Sequence, residues 1–237
     1  MKEKRTKEHS TNKRNTVAVV ALLLVCVLAI GGTIAYLTSQ SQLTNTFTVG
    51  QISPIDPNKP GPGPDGGEID KDSSKLNGNL YEPSWVKDSK LLPTATIKKD
   101  PYVGVGAGSE ECDVFVYVKN TMKNNNNIYF EINKGWEAVG GTQPIEGGKY
   151  TGGLFKYTAG LNALEEKTNN VWTDTPLFST VKVTEDAKAD DFKIENEDKV
   201  GAIEVYSFLH QSKDADGKDI KDAVILAAAK EQLGLNK

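Results

Sequence analysis

The sequence predicts a mainly β protein, an antiparallel jelly-roll or Ig-like β-sandwich with a C-terminal α-helix, preceded by a signal peptide. Three observations lead to this fold class. Short apolar segments alternate with Gly, Asn and Asp turn signals from about residue 84 onward. The alanine-rich segment Asp219–Leu233 has helical spacing instead. A basic N-terminus precedes a long apolar run.

The N-terminal segment has the charge pattern of an export signal. Met1–Arg14 carries six basic and two acidic side chains, and residues 15–55 carry none of either sign. Val17–Ile30 is a continuous apolar run, which ends at Gly31. A basic region followed by an apolar region is typical of secretory signal peptides.

A cleavage site follows the apolar run. Thr33 and Ala35 place small residues at the two positions that a signal peptidase reads, which predicts a signal peptide over residues 1–35 and a mature N-terminus at Tyr36. The alternative is an uncleaved membrane anchor, because the uncharged stretch through Leu37 is about twenty residues long and spans a bilayer. In both cases the rest of the chain lies outside the cytoplasm.

Removing the signal changes the composition. The whole chain has 28 basic and 32 acidic residues, two cysteines and two histidines. Without residues 1–35 it has 22 basic and 30 acidic residues, a net charge of −8, with Cys112 and His210 as its one cysteine and one histidine. An acidic chain lacks the basic footprint of a nucleic-acid binder. A single cysteine excludes an intramolecular disulfide and a four-thiolate zinc site.

The first mature segment, residues 36–52, is predicted to hold a strand suited to pairing with another chain. Its sequence from residue 42 is QLTNTFTVGQI, in which Leu43, Phe47 and Val49 fall on one face and threonines on the other. The strand carries no charge that would discourage pairing. It is therefore a candidate donor strand, and the alternative is the same strand folded into its own sheet.

Residues 53–75 are predicted to form a linker before the main domain, residues 76–237. Five of the ten prolines lie within residues 53–67, and this composition favours an extended, semi-stiff spacer. The domain is long enough for one core. Its predicted strands are Leu91–Ile97, Tyr102–Val105, Asp113–Lys119, Ile128–Ile132, Leu154–Thr158, Val171–Thr173, Leu177–Val183 and Ala202–Leu209.

Two of these elements can be described in more detail. Asp113–Lys119, DVFVYVK, is apolar on both faces, which predicts a central strand covered on both sides. The helix is expected to begin with Asp219 as its N-cap, with Asp222 in the first turn and Gly234 just past the end. Its expected packing face contains Ile220, Val224, Ala227 or Ala228, and Leu233.

The stretch GGTIAYLTSQSQLTNTFTVGQI resembles the signal-and-start region of exported proteins that the signal peptidase SipW processes. This group, from Firmicutes, includes TasA and CalY (camelysin). Two later segments, Lys98–Asn120 and Ile203–Gln211, are also similar to members of the group, whereas the Pro/Gly spacer and the acidic residues 185–198 depart from it. The residues that match the first pattern are Gly31, Gly32, Thr33, Ala35, Tyr36, Phe47 and Gly50.

The resemblance implies a secreted sandwich protein of a Gram-positive bacterium, in a biofilm matrix or on the cell surface. Such proteins often form fibres in which each subunit donates its N-terminal strand to the next. The implied partners are a SipW-like signal peptidase during export, then further copies or a homologous matrix subunit. Membrane contact is transient, through the signal segment alone.

Two other functions are weighed against a fibre subunit. The first is a monomeric surface binding module or adhesin, in which Trp85, Trp136 and Trp172 are candidates for a binding face, although core packing is expected for at least two of them. The second is a camelysin-like secreted metallopeptidase. A zinc site of the H-E-x-x-H kind needs two histidines, and the mature chain has only His210.

Neither a catalytic nor a metal site is predicted, and no cofactor is expected. A serine triad would also need His210, and the chain has no G-x-S-x-G motif. Asp214–Gly217 resembles part of a calcium loop, but Ala223 stands where a bidentate Glu is required, so at most weak calcium binding is expected. Cys112 adjoins Glu111 and Asp113, whose charges are expected to raise the pKa of its thiol.

Overall fold

The computed structural model describes residues 46–47, for which the backbone alone is considered, and residues 52–63, 65–87 and 89–236. The described part is mainly β, with three sheets and one α-helix. Its strands are β1 Thr46–Phe47, β2 Leu76–Asn77, β3 Leu80–Tyr81, β4 Thr96–Lys98, β5 Tyr102–Val105, β6 Cys112–Asn120, β7 Ile128–Tyr129, β8 Trp136–Val139, β9 Gly153–Leu161, β10 Val171–Trp172, β11 Thr180–Val183 and β12 Ile203–Gln211. Its helix is α1, Asp222–Gln232.

The largest sheet has five strands in the order β1-β12-β6-β9-β8. β6 pairs antiparallel with β12 along its whole length, from Cys112 opposite Gln211 to Asn120 opposite Ile203. β9 lies on the other side of β6 and pairs with β8, both antiparallel. β1 is the exception, because it runs parallel to β12.

The central strand β6 is buried on both faces, which confirms the prediction for Asp113–Lys119. Val114, Val116 and Val118 join the main core, whereas Phe115 belongs to a second cluster beneath the helix. All four are at most 1% exposed. The strict alternation of a strand therefore distributes apolar side chains to two different cores.

The main core lies between the five-stranded sheet and the two smaller sheets, whose orders are β10-β5-β3-β2 and β4-β11-β7. Aromatic rings fill its centre. The ring of Phe130 lies 4.3 Å from that of Phe178 and 5.7 Å from that of Phe155, and Tyr150 packs against Phe130 and Phe155. Side chains from all three sheets thus share one cluster.

A bulge interrupts the pairing of β6 with β9 next to Cys112. Gly160 lies there with φ of 64°, and a Cβ at this position would lie 2.9 Å from the carbonyl oxygen of Cys112. Glycine is therefore required both for the left-handed backbone and for the close approach of the two strands.

The C-terminal helix α1 covers the other face of the five-stranded sheet. Ile225 and Ala229 are fully buried against Phe115, Leu154 and Phe208. Lys156 on β9 bridges Asp113 on β6 at 2.9 Å and Asp222 in the first turn of α1 at 3.1 Å. Burial opposes the charge of Lys156, but the two carboxylates outweigh it and raise the pKa of the ammonium group.

The N-cap of the helix lies two residues later than predicted. Asp219 is not its N-cap but pairs with Lys213 across a turn, and Lys221 occupies the cap position without a side-chain bond. Val224 is 54% exposed, so its placement on the packing face was wrong. The expected first-turn Asp222 and the positive-φ Gly234 after the helix are confirmed.

Several predicted strands are shorter or interrupted in the structure. Leu91–Ile97 is mostly a turn, with Thr94 at φ of 64° and the strand starting at Thr96. Leu177–Val183 reduces to β11, because Leu177 is buried in the preceding loop, where its amide donates to the carbonyl of Pro101. Apolar residues in these segments face the core from irregular backbone, which a periodicity argument cannot distinguish from a strand.

The described part of the predicted linker, residues 53–75, packs against the domain and is not an extended spacer. Ile55 and Ile69 are buried with Tyr81 in a small cluster. The indole of Trp172 donates to the carbonyl of Pro60 at 3.1 Å, and Asn170 exchanges two hydrogen bonds with the backbone of Asp56. Two isoleucines within the proline-rich stretch supply apolar surface that a solvated spacer would leave exposed.

Phe130→Ala tests the aromatic centre of the main core. We expect a loss of about 3–5 kcal/mol in the free energy of unfolding, because the truncation leaves a cavity among closely packed rings. Urea unfolding followed by circular dichroism measures it. Leu164→Ala is the control, since Leu164 is 44% exposed and its loss should stay within about 0.5 kcal/mol. Equal losses in the two variants would contradict this assignment of the core.

Candidate functional site

Most residues of the predicted signal and donor strand lie outside the described part of the chain. These are Thr33, Ala35, Tyr36, Leu43 and Val49, so the cleavage site and the apolar face of the donor strand stay predictions. The backbone of Phe47 is described, and it pairs with Leu209 in β1. This short parallel pairing places Thr46–Phe47 beside β12.

β12 is the candidate assembly edge. One side of the strand pairs with β6 over all nine residues. On the other side the described residues supply only β1, whose Thr46 and Phe47 lie opposite Phe208 and Leu209. No described strand lies beside Ile203–Tyr206, so this part of the edge is open within the described residues. An open edge is a template for an added strand.

The chain is anchored to the domain just after the N-terminal segment. Ile52 is buried in the main core at 5% exposure. The amide of Ser53 donates to the hydroxyl of Ser109 at 2.9 Å, and the amide of Gly106 donates to the carbonyl of Ser53 at 3.0 Å. A donated segment can therefore include only residues that precede Ile52 in the chain.

An apolar groove adjoins the start of β12. It has a volume of about 640 Å³ and lies between the turn before β4, the 3-10 turn Ala189–Phe192 and the segment Val200–Ile203. Leu92 and Val200 at its rim are 58% and 68% exposed. The groove walls include Trp85, Leu91, Met122, Ile128, Phe192 and Ile203.

A buried ion pair lies beside this groove. The ammonium of Lys99 contacts a carboxylate oxygen of Glu82 at 2.7 Å and sits 4.8 Å from the centre of the Trp85 ring. Lys99 and Trp85 also line the groove. The other Glu82 oxygen is buried and has no hydrogen-bond partner. Burial raises the pKa of the Glu82 carboxyl, and the charge of Lys99 opposes that rise.

Cys112 and His210, the one cysteine and one histidine of the predicted mature chain, both lie in strands of the five-stranded sheet. Cys112 is fully buried, and burial first, then the neighbouring Asp113, raises the pKa of its thiol to about 12. The acidic neighbours of Cys112 can be predicted from the sequence, whereas its burial, which is the larger cause, follows only from the fold. His210 lies in β12, where Nδ1 is 2.7 Å from the carbonyl oxygen of Gln211 and the ring is 6.1 Å from that of Phe208.

Asp214–Gly217 forms a turn in which the Asp214 carboxylate accepts hydrogen bonds from backbone amides. A carboxylate oxygen of Asp214 accepts the amides of Asp216 and Lys218, each at 2.9 Å. Gly217 completes the turn with a positive φ of 75°. Over the described ranges no group of three or more His, Cys, Asp and Glu side chains is placed to hold a metal ion. Weak calcium binding elsewhere in the chain stays untested.

The three tryptophans lie in separate environments. Trp136 is buried against Tyr157, with ring centres 5.2 Å apart. Trp172 packs on Tyr81 and directly over Gly104, where a Cβ would collide with the indole. Trp85 alone lines the groove. No local sequence pattern predicts this groove, because its walls come from segments that are distant in the chain. Its one local signal is the pair of adjacent leucines, Leu91 and Leu92, in a segment with weak strand periodicity.

Comparisons with known proteins leave the family unassigned. No protein-family profile, curated protein or solved structure matches the chain. Among the described residues no helix is long and apolar enough to cross a membrane, and the apolar run Val17–Ile30 lies outside them. The features that bear on function are therefore the β12 edge, the groove and the sequence of the N-terminal segment.

Lys99→Met tests the buried ion pair. We expect a loss of about 3–5 kcal/mol in unfolding free energy at neutral pH, because Glu82 would become an uncompensated buried charge. A carboxyl whose folded pKa is raised favours the folded state when protonated, so part of this loss should be regained as the pH falls from about 7 to about 5. Thermal and urea unfolding across this range measure both effects.

Lys218→Met is the control for this test. Its ammonium is 75% exposed and pairs with Asp216 at 3.7 Å, so the expected change stays within about 0.5 kcal/mol and shows little dependence on pH. If the loss of stability in Lys99→Met were as small as in this control, the buried ion pair would not contribute to the stability of the fold.

Proposed function

We propose that the chain is an exported structural protein that assembles into extracellular fibres by donating its N-terminal strand to β12 of a neighbouring copy. The observation that carries this proposal is the open edge of β12, where only β1 supplies a partner among the described residues. The donated segment would be residues 36–51, ahead of the buried Ile52. It would act in a biofilm matrix or on the surface of a Gram-positive cell.

The sequence of the N-terminal segment supports export and donation. Gly31–Ile52 resembles the signal-and-start region of SipW-dependent proteins, and residues 15–55 carry no charge that edge pairing would have to desolvate. The layered sheets and the terminal helix are compatible with a jelly-roll or Ig-like sandwich, which we propose as the finer fold class. A SipW-like peptidase would release Tyr36 as the first residue.

The energetics require backbone pairing as well as side-chain burial. Burying Leu43, Phe47 and Val49 would contribute about 1.5–3 kcal/mol each, roughly 5–9 kcal/mol together. Association costs an estimated 4–15 kcal/mol, so the side chains alone approximately balance it. Hydrogen bonds along β12 must supply the remainder, which requires an added strand longer than the two residues of β1.

The packed position of residues 52–63 limits the geometry of a fibre. Since Ile52 and Ser53 are anchored to the core and to the Gly106–Ser109 turn, the proline-rich stretch adds nothing to the reach of the strand. Residues 36–51 extend to about 50 Å at 3.3 Å per residue. Neighbouring subunits would therefore be in close contact.

A monomeric surface binding module is the second candidate function. The observation that favours it is the apolar groove, because a concave apolar wall with a few polar groups is typical of ligand sites. This reading requires that the native chain stay monomeric at all concentrations. A secreted metallopeptidase is not proposed, since no described arrangement supports it.

Deleting residues 36–51 tests strand donation while leaving the buried Ile52 in place. We expect the deleted chain to remain monomeric under conditions where the chain that begins at Tyr36 forms fibres, because it lacks the strand to donate. Negative-stain electron microscopy and light scattering provide the measurement, with no tag at the N-terminus. Fibres of unchanged length in the deletion variant would refute donation.

A pair of point variants separates strand packing from added charge. Phe47→Asp should weaken assembly about tenfold to a hundredfold, because it removes about 1.5–3 kcal/mol of apolar burial. Thr48→Asp adds the same charge on the opposite, threonine face of the strand, and we expect a much smaller effect. If the starting chain never assembles, the binding-module function is favoured instead.

A further inference from the structure

The walls of the apolar groove offer few hydrogen-bonding groups to an occupant. Apart from two lysines, the polar side-chain groups among its described lining residues are the hydroxyl of Ser89 and the indole N–H of Trp85. The amide of Gly201, which also lines the groove, already donates to the carbonyl of Phe192 at 2.7 Å. The groove therefore suits an occupant with a large apolar surface and few polar atoms.

This composition disfavours a peptide or a sugar as the occupant. Each peptide unit would bring an N–H and a C=O group that the walls cannot pair, and unpaired backbone groups are costly to bury. A sugar would bring several hydroxyls at a similar cost. A hydrocarbon chain needs no such partners, and it would cover the exposed Leu92 and Val200 at the rim. The volume of about 640 Å³ is typical of small-ligand sites.

The buried ammonium group of Lys99 has hydrogen-bond donors left for an occupant. Lys99 is 8% exposed and lines the groove. An ammonium group has three N–H donors, and among the described residues only Glu82 accepts from it, at 2.7 Å. A pure hydrocarbon in the groove would keep water from the remaining donors. The occupant is therefore expected to carry an oxygen that accepts a hydrogen bond.

The charges at the groove favour an anionic oxygen over a neutral one. The described lining residues include Lys90 and Lys99 and no Asp or Glu. Glu82, which does not line the groove, balances the charge of Lys99. Lys90 is exposed and has no ion-pair partner among the described residues. One carboxylate on the occupant would make this set of charges neutral, whereas a doubly charged phosphate would leave an excess negative charge beside apolar walls.

We propose that the groove binds a monocarboxylic acid with a hydrocarbon chain, with the chain along the apolar walls and the carboxylate paired with the lysines of the wall. This inference rests on the second candidate function, in which the groove is a ligand site, and it names the class of ligand. It does not require strand donation, because none of the groove residues belongs to the donated segment.

Two ligands with equal numbers of carbon atoms, decanoate and decan-1-ol, test the proposal. The chain that begins at Tyr36 contains every described strand and the helix, and its one methionine is Met122, which is buried in the groove wall. An isotope label on the methionine methyl group therefore gives one NMR signal that reports on the groove. We expect both ligands to shift this signal in a saturable way. Decanoate should bind about tenfold more tightly, because a hydrogen bond to a charged acceptor is stronger.

Lys90→Met removes one positive charge from the groove and keeps a side chain of similar length. We expect the affinity for decanoate to fall about threefold to fivefold and the affinity for decan-1-ol to stay within about twofold. Lys87→Met is the matched control, since Lys87 is also exposed in the same segment but does not line the groove. It should leave both affinities unchanged. Both lysines are exposed, so both variants should fold like the parent.

Two outcomes overturn the proposal in distinguishable ways. If neither ligand moves the Met122 signal, the groove takes no ligand of this kind, and the binding-module function loses its support as well. If decan-1-ol binds as tightly as decanoate, the groove is a ligand site that does not select a carboxylate, which contradicts the proposed class alone. Fibre formation is scored separately by electron microscopy without ligand, so a failure of strand donation is read from a different measurement.

Discussion

The pairing of β6 with its two neighbours is the constraint on which the rest of the described structure depends. Val114, Val116 and Val118 project into the core shared by all three sheets, while Phe115 projects toward α1. β12 and β9 hold this strand from both sides. Because β6 has no exposed face, each element around it must cover apolar surface. The helix, the two smaller sheets and the anchored Ile52 all do so.

The same arrangement makes β12 the edge on which the proposed assembly depends. One side of β12 is committed to β6 over its full length, and Phe208 and Leu209 are buried on opposite faces. Its other side pairs with Thr46 and Phe47, and its first residue, Ile203, belongs to the groove wall. A single strand thus connects the fold to the proposed assembly.

Much of the β framework could be predicted from the sequence. Asp113–Lys119 was predicted as a doubly covered central strand, and β6 is one, because apolar residues on both strand faces admit no other environment. Tyr102–Val105 matches β5. The helix was placed to within three residues, but its start was wrong because Asp219 pairs with Lys213 in a turn. The packing of Ile55 and Ile69 was not predicted, because the high proline content of this stretch indicates a solvated spacer.

The sequence by itself determined the uncharged N-terminal segment, the acidic remainder with one cysteine and one histidine, and the alternation of the main strands. These features depend only on composition and on the spacing of residues that are close together in the chain. Only the tertiary structure decided that Thr46–Phe47 pairs with β12, that Lys99 and Glu82 form a buried pair, and that a groove opens beside Ile203. Each of these joins residues distant in sequence, and no local pattern encodes which distant surfaces will meet.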